Sequence, residues 1–272
     1  MRYLITGILA SLIYSCSSNN ATEDPALGKY FKENNVDGCF ALFDNGTGQF
    51  TVYNMARYRD SAYLPASTFK VVNSLIGVET GRIKDSSTVI PWDGVKRKIP
   101  EWNQDLTMQN AFTYSCVPWY QELARRIGKD TMQYWLDTMG YARSRAKPVI
   151  SGNLDTFWLD NSMKVTGDEQ LGLMKKLYFG QLPFQPRSQR IVVNMMKREE
   201  NANYILSYKT GWGFTEKGHP IGWVIGFIEE NHHPYFFVLE LESAEHDYDM
   251  GPPRIKILKD ILKHYDFMQG KR

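Results

Sequence analysis

The sequence predicts an α+β fold: an antiparallel β-sheet built from both chain ends, flanked by helices, with an inserted all-helical subdomain. Three observations carry this. Strand-like runs lie early, at residues 39–44 and 50–54. Others lie late, at 204–209, 221–228 and 235–242. Between them, residues 106–202 place their apolar positions mostly at a helical period. Strands at both ends and helices in the middle pack as one sheet closed by the two chain ends. A cleft between sheet and helices is the expected place for a site.

In chain order, residues 1–15 open with Arg2 and an uncharged apolar run from Tyr3 to Tyr14. That pattern reads as a secretory signal. Cys16 after Ile13-Tyr14-Ser15 resembles a bacterial lipoprotein signal, with Cys16 lipidated as the first mature residue. A plain signal cut nearby is the alternative. Residues 16–29 read as a tether, polar and poor in apolar side chains. The folded domain is expected over 30–272, its sheet part about 30–90 and 203–272 and its helical part about 91–202. No window reaches the roughly 18 to 20 apolar residues of a spanning helix. Membrane contact is therefore expected only through a lipid on Cys16.

Asn45-Gly46-Thr47-Gly48 turns the first two strands into a hairpin. Phe69, Val72 and Ile76, with Leu75, mark one face of a helix starting near Ser67 and stopping at Gly81. Helical periods recur at 119–127, 131–139, 168–179 and 189–198. Loops are expected at 148–152 and 183–186. Residues 230–234 join the last two strands, and Pro252-Pro253 opens a C-terminal helix to about Phe267.

Composition excludes several classes. The 272 residues carry 32 Lys+Arg against 30 Asp+Glu, a net charge of +2, and 43% are hydrophobic. Whole-chain disorder is excluded. A near-neutral chain is a poor partner for nucleic acid, so none is expected. Three cysteines are too few for a disulfide framework; Cys39 and Cys116 could pair in an oxidising compartment, but two buried free thiols are expected. None of the five histidines has persuasive metal-ligand spacing, so no metal is expected. His232-His233 is expected in an exposed turn. No G-x-S-x-G elbow appears, which argues against an α/β-hydrolase triad.

Ser67-Thr68-Phe69-Lys70 follows Pro65-Ala66 at the start of a predicted helix. Spacing of three puts Ser67 and Lys70 on one face, a turn apart. A serine hydroxyl attacks only when a base takes its proton. Lysine is such a base only when its amine is neutral, which burial favours. Alone, this pair is a weak signal, since most Ser/Lys pairs on helices are solvated faces. Two more motifs change that. Ser115-Cys116-Val117 precedes a predicted helix, and Lys209-Thr210-Gly211 ends a predicted strand. Singly, Ser115 reads as a helix cap and Lys209 as an edge charge. S-x-x-K, S-x-V and K-T-G in this order are the active-site set of penicillin-recognising serine enzymes.

Over nearly all of 30–268 the sequence resembles the class D, oxacillinase-type serine β-lactamases, with a β-lactamase/transpeptidase-like fold. The resemblance rests on those motifs and on Pro118, Tyr120-Gln121-Glu122, Phe157-Trp158-Leu159, Trp212-Gly213, Gly222-Trp223-Val224-Ile225-Gly226 and Arg254. It implies a β-lactam substrate and acylation of Ser67. It implies no dissociable cofactor, but a carbamate formed from CO₂ on Lys70 as general base. Trp158 would donate to that carbamate, and Val117 would help keep the pocket dry. Ser115 would pass a proton to the leaving nitrogen, with Lys209 supplying positive potential. Thr210 and Arg254 would bind the substrate carboxylate. The N–H groups of Ser67 and Trp212 would form the oxyanion hole. Gly211 completes this substrate-binding strand, and Trp102 would form an aromatic cleft wall.

One departure stands out. The family usually carries Tyr-Gly-Asn where this chain has Tyr141-Ala142-Arg143, which puts the local loop geometry in question. Two rival readings stay open. One is a β-lactam sensor domain that acylates without efficient turnover. The other is a D,D-peptidase, for which the pocket marked by Val117 and Trp158 is less expected.

Overall fold

The computed structural model describes residues 20–144, 147–150 and 152–270. The signal segment 1–15 and Cys16 lie outside the described residues. β1 (Ala21–Glu23) leads through a 3-10 turn at Pro25–Leu27 to α1 (Gly28–Lys32), β2 (Asp37–Asp44), β3 (Phe50–Tyr53) and α2 (Met55–Asp60). β4 (Ala62–Tyr63) precedes a 3-10 turn at Ala66–Phe69 that runs directly into α3 (Lys70–Glu79). The middle of the chain holds β5 (Val89–Ile90), a 3-10 turn at Pro100–Trp102, β6 (Leu106–Thr107), α4 (Met108–Thr113), α5 (Val117–Ile127) and α6 (Lys129–Met139). It continues with β7 (Val165–Thr166), α7 (Gly167–Tyr178) and α8 (Pro186–Met196). The last elements are β8 (Lys197–Glu200), β9 (Tyr204–Phe214), β10 (Pro220–Glu230), β11 (His233–Glu242) and α9 (Gly251–His264).

Seven strands form the main sheet in the order β1-β3-β2-β11-β10-β9-β8, so both chain ends meet in it. β4 pairs with β7 and β5 with β6 as separate two-residue ladders. Both faces of the sheet are covered, which is why β10 and β11 are almost continuously apolar. On β11, Phe236 and Val238 join the core under α3, α5 and α7. Phe237, Leu239 and Leu241 alternate to the other face, against α1 and α9. Between β10 and β11, Asn231 and His232 have φ of 50° and 62°, a two-residue turn with both central residues left-handed. His233 belongs to β11 rather than to the turn, and its ring bonds Asp44 at 3.0 Å.

Five expectations are corrected. Residues 20–29 are not a free tether. β1 pairs parallel with β3, so the sheet is not wholly antiparallel, and Leu27 is fully buried. The ladder satisfies the backbone there, while Leu27 and Phe31 fill the core beside α9. The helix expected at 189–198 stops at Met196; Arg198 lies in β8, an added edge strand ahead of the expected boundary at 203. The helical layer is not confined to 91–202, because α3 packs against α5 and α8. Finally, β9 continues through Phe214, which puts Lys209-Thr210-Gly211 inside a strand rather than at its end.

One buried ion pair bears on the site. Arg57 of α2 donates to Glu240 and Glu242 of β11 at 2.6–2.8 Å. Glu240 is 1% exposed. This clamp holds the segment leading into Ser67 onto the sheet. Cys39 and Cys116 are both free and buried.

Candidate active site

Ser67 sits in the 3-10 turn, and Lys70 is the first residue of α3. Lys70 Nζ lies 2.7 Å from Ser67 Oγ. Lys70 is fully buried, and Ser67 is 9% exposed. Burial pulls the Lys70 amine down to about 7, with the nearby Cys116 sulfur pulling the other way. Near neutral pH a large share of the amine is therefore unprotonated. Its Nζ also lies 5.4 Å from the centre of the Tyr120 ring on α5.

The turn that presents Ser67 is strained and clamped. Ala66 has φ of 47°, in the left-handed region that favours glycine. Trp223 Nε1 on β10 donates to Leu64 O at 3.0 Å, just before the turn. Thr68 Oγ1 donates to Pro65 O at 2.7 Å. β9 packs against the same residues. A Cβ at Gly211 would lie 3.0 Å from Pro65 O, and one at Gly213 would lie 2.8 Å from Leu64 Cδ1. The glycines of this strand thus let it approach the turn.

Ser115 occupies the tight turn between α4 and α5, with φ of 56°. Lys209 Nζ donates to Ser115 Oγ at 3.0 Å and to Thr210 O at 2.9 Å. Burial holds the Lys209 amine well below its ordinary value, reinforced by repulsion from Lys70, Arg198 and Arg254. The structure therefore brings Ser67 with Lys70, and Ser115 with Lys209, into two hydrogen-bonded pairs. Val117 opens α5 and is half-buried.

Trp158 is fully buried and stacks on Phe69 with ring centres 5.4 Å apart. Its Nε1–H has no partner among the described residues. A buried donor left open in this way is costly unless something accepts from it. Arg254 of α9 lies across β10, where Gly222 makes room, and donates from Nη1 to Gly211 O. Its guanidinium faces the Trp212 ring at 5.8 Å, and its Nε has no partner among the described residues. Burial lowers its pKa to about 10. Thr210 is half-buried, while Trp212 is 41% exposed. Trp102 donates from Nε1 to Tyr114 O at 3.0 Å, beside Ser115. It also lines a cavity of about 280 Å³ with Trp92, Cys116 and Trp119, which neither Ser67 nor Lys209 lines.

Tyr141 is buried against Phe69, 5.8 Å between ring centres. Ala142 has φ of 58°, the conformation for which the family's usual glycine is suited. Ala142→Gly is expected to stabilise the protein by about 0.5–1 kcal/mol. A thermal melt should show Tm higher by about 1–3 °C, and a lower Tm would contradict strain at this position.

One side chain near Ser67 was not found by sequence reasoning. Gln170 of α7 donates from Nε2 to Thr68 Oγ1 at 2.7 Å. No local motif marks it, because the contact joins positions 102 apart. Among the described residues no cluster of His, Cys, Asp or Glu has the makings of a metal site.

Known proteins match this arrangement. The family described as penicillin binding protein transpeptidase domain matches residues 26–263. Beta-lactamase OXA-48 of Klebsiella pneumoniae is 38% identical over 241 residues, covering 89% of this chain and 88% of its own. Probable beta-lactamase YbxI of Bacillus subtilis is 40% identical over 230 residues, covering 85% of this chain and 81% of its own. Among solved structures, the class D β-lactamase FUS-1 of Fusobacterium nucleatum superposes with a TM-score of 0.84 at 30% identity. That match covers 91% of this chain and all of the other, 100%. The fold predicted from the sequence is thus the fold of these relatives, apart from the corrections above. With the serine and lysine pairs in place, the chain belongs to the class D serine β-lactamases of the penicillin-binding transpeptidase family.

Proposed function

We propose that this enzyme hydrolyses β-lactam antibiotics through an acyl-enzyme on Ser67, and so confers resistance to them. The observation that carries the reading is a lysine amine, desolvated to a pKa of about 7, at 2.7 Å from Ser67 Oγ. As the oxygen attacks the lactam carbonyl, the hydroxyl proton passes to the base that Lys70 carries. The C–N bond then breaks. Ser115, hydrogen-bonded to Lys209, would hand a proton to the departing nitrogen. Arg254 and Thr210 are suited to hold the substrate carboxylate beside β9. The Ser67 and Trp212 N–H groups are assigned to the developing oxyanion.

The residues around Lys70 also fit a carbamate on its amine. A large share of the amine is neutral near pH 7, as reaction with CO₂ requires, and the buried Trp158 N–H has nothing else to donate to among the described residues. When bound, the carbamate supplies a carboxylate-like base for both acylation and deacylation. Trp158 would hold it, and Tyr120 and Val117 would limit water around it. The same reading places the enzyme on the periplasmic side, attached by a lipid on Cys16. That part rests on the sequence of residues 1–16.

The test is turnover of a chromogenic cephalosporin, with and without added bicarbonate. Many turnovers per enzyme, increased by bicarbonate, are expected. Trp158→Phe should slow deacylation more than acylation, so that acyl-enzyme accumulates and is seen by mass spectrometry. A single stoichiometric burst from the wild type would instead identify a sensor or a peptidase.

A further inference from the structure

We infer that Gln170 is a positioning residue for Ser67, acting through Thr68 to hold the strained turn that presents the nucleophile. Three observations meet at this point. The first is the strain itself. Ala66 precedes the nucleophile with φ of 47° and no glycine to ease it. A left-handed alanine persists only where its surroundings over-determine it.

The second is a relay whose direction is set by proton count. Thr68 Oγ1 has one hydrogen, and it is given to Pro65 O at 2.7 Å. The contact between Thr68 Oγ1 and Gln170 at 2.7 Å must therefore be donated by the amide. Gln170 thus fixes the rotor of Thr68, and Thr68 ties the residue after Ser67 to the carbonyl two residues before it. The donor comes from α7, while Gly211 of β9 lies close against the same carbonyl. Two elements thus meet at this turn.

The third observation separates positioning from mere packing. Gln170 is fully buried, and its Oε1 has no partner among the described residues. For stability alone, leucine is the better residue there, since a buried open carbonyl carries a desolvation cost. An amide kept at such a cost, one hydrogen bond away from Thr68, is a local rule broken in favour of a site.

The inference deepens the proposed function, in which Ser67 is the nucleophile. The experiment compares the wild type with Gln170→Leu, Thr68→Val and the double variant. Acylation rates come from the burst with a chromogenic cephalosporin, Tm from thermal melts, and the turn from a crystal structure of Gln170→Leu. Gln170→Leu is expected to lower the acylation rate about 10- to 100-fold, with Tm equal to or above the wild type. Thr68→Val is expected to cause a similar loss, and the double variant little more than either single one. In the crystal structure, Ser67 Oγ is expected to leave its 2.7 Å contact with Lys70 Nζ.

A variant that loses Tm in proportion to its rate would overturn the inference, because that is the mark of packing. Fully additive losses in the double variant would overturn the route through Thr68. The crystal structure separates this inference from the reading of function. An unmoved turn in Gln170→Leu overturns the positioning role whatever the substrate is. A wild type that fails to acylate, with the turn displaced in the variant, counts against the function and supports the positioning.

Discussion

Ser67→Ala is expected to lower β-lactam turnover by about 10⁴- to 10⁶-fold, the scale seen when a nucleophile acting as part of a unit is removed. The reason is covalent. Without Oγ no acyl-enzyme forms, and the remaining groups can only bind the substrate and polarise its carbonyl. Ser67 is 9% exposed, and its Oγ contacts Lys70 Nζ, so alanine deletes a reactive atom without opening a large cavity. Stability should change little. Mass spectrometry after incubation with a β-lactam reads the result directly: the wild type gains an adduct and the variant gains none. Hydrolysis that survives Ser67→Ala would remove this serine from the mechanism.

Lys70→Ala should approach the same loss, because nucleophile and base act together. The wild type offers a second readout, the pH profile. Burial lowers the Lys70 pKa to about 7, from an ordinary value of 10.5. Below about 7 the amine is protonated, and neither accepts the Ser67 proton nor reacts with CO₂. The acylation rate should therefore fall as pH drops through about 7, and bicarbonate should help least at the acid end. Stability moves in the same direction. In the window between about 7 and 10.5 the unfolded chain binds a proton at Lys70 that the folded chain does not, so folding stability rises with pH across it. Lys70→Ala should make that slope of Tm against pH shallower, leaving the part that comes from the buried Lys209. An acid limb near pH 5, where carboxylates titrate, would point to a different base.

The three motifs were legible because each packs its chemistry into a few adjacent positions. Ser67 and Lys70 are three apart on one turn, and their 2.7 Å contact follows from helical geometry once the segment folds. The strands of both chain ends were legible for a similar reason, since apolar runs of that length bounded by turn residues have few other uses. Composition misled at residues 20–29. Polar side chains there say little about a backbone that finds a free strand edge at β3. The helix run-on past Met196 arose because the chain passes from α8 into β8 with no intervening loop.

By itself, then, the sequence determined the α+β plan and marked Ser67 as a candidate nucleophile, Lys70 as its candidate base, and Ser115 and Lys209 as separate motif residues. All of these depend on local spacing and on residue chemistry. Only the tertiary structure decided the rest. The depressed pKa of Lys70 depends on the side chains that exclude water around it. The open N–H of Trp158 is apparent only when every neighbour has a place. The 94-residue reach from Ser115 to Lys209 and the 102-residue reach from Thr68 to Gln170 are products of folding. A hydrogen bond acts over about 3 Å, so which distant residues come to share one is settled by packing, not by position along the chain.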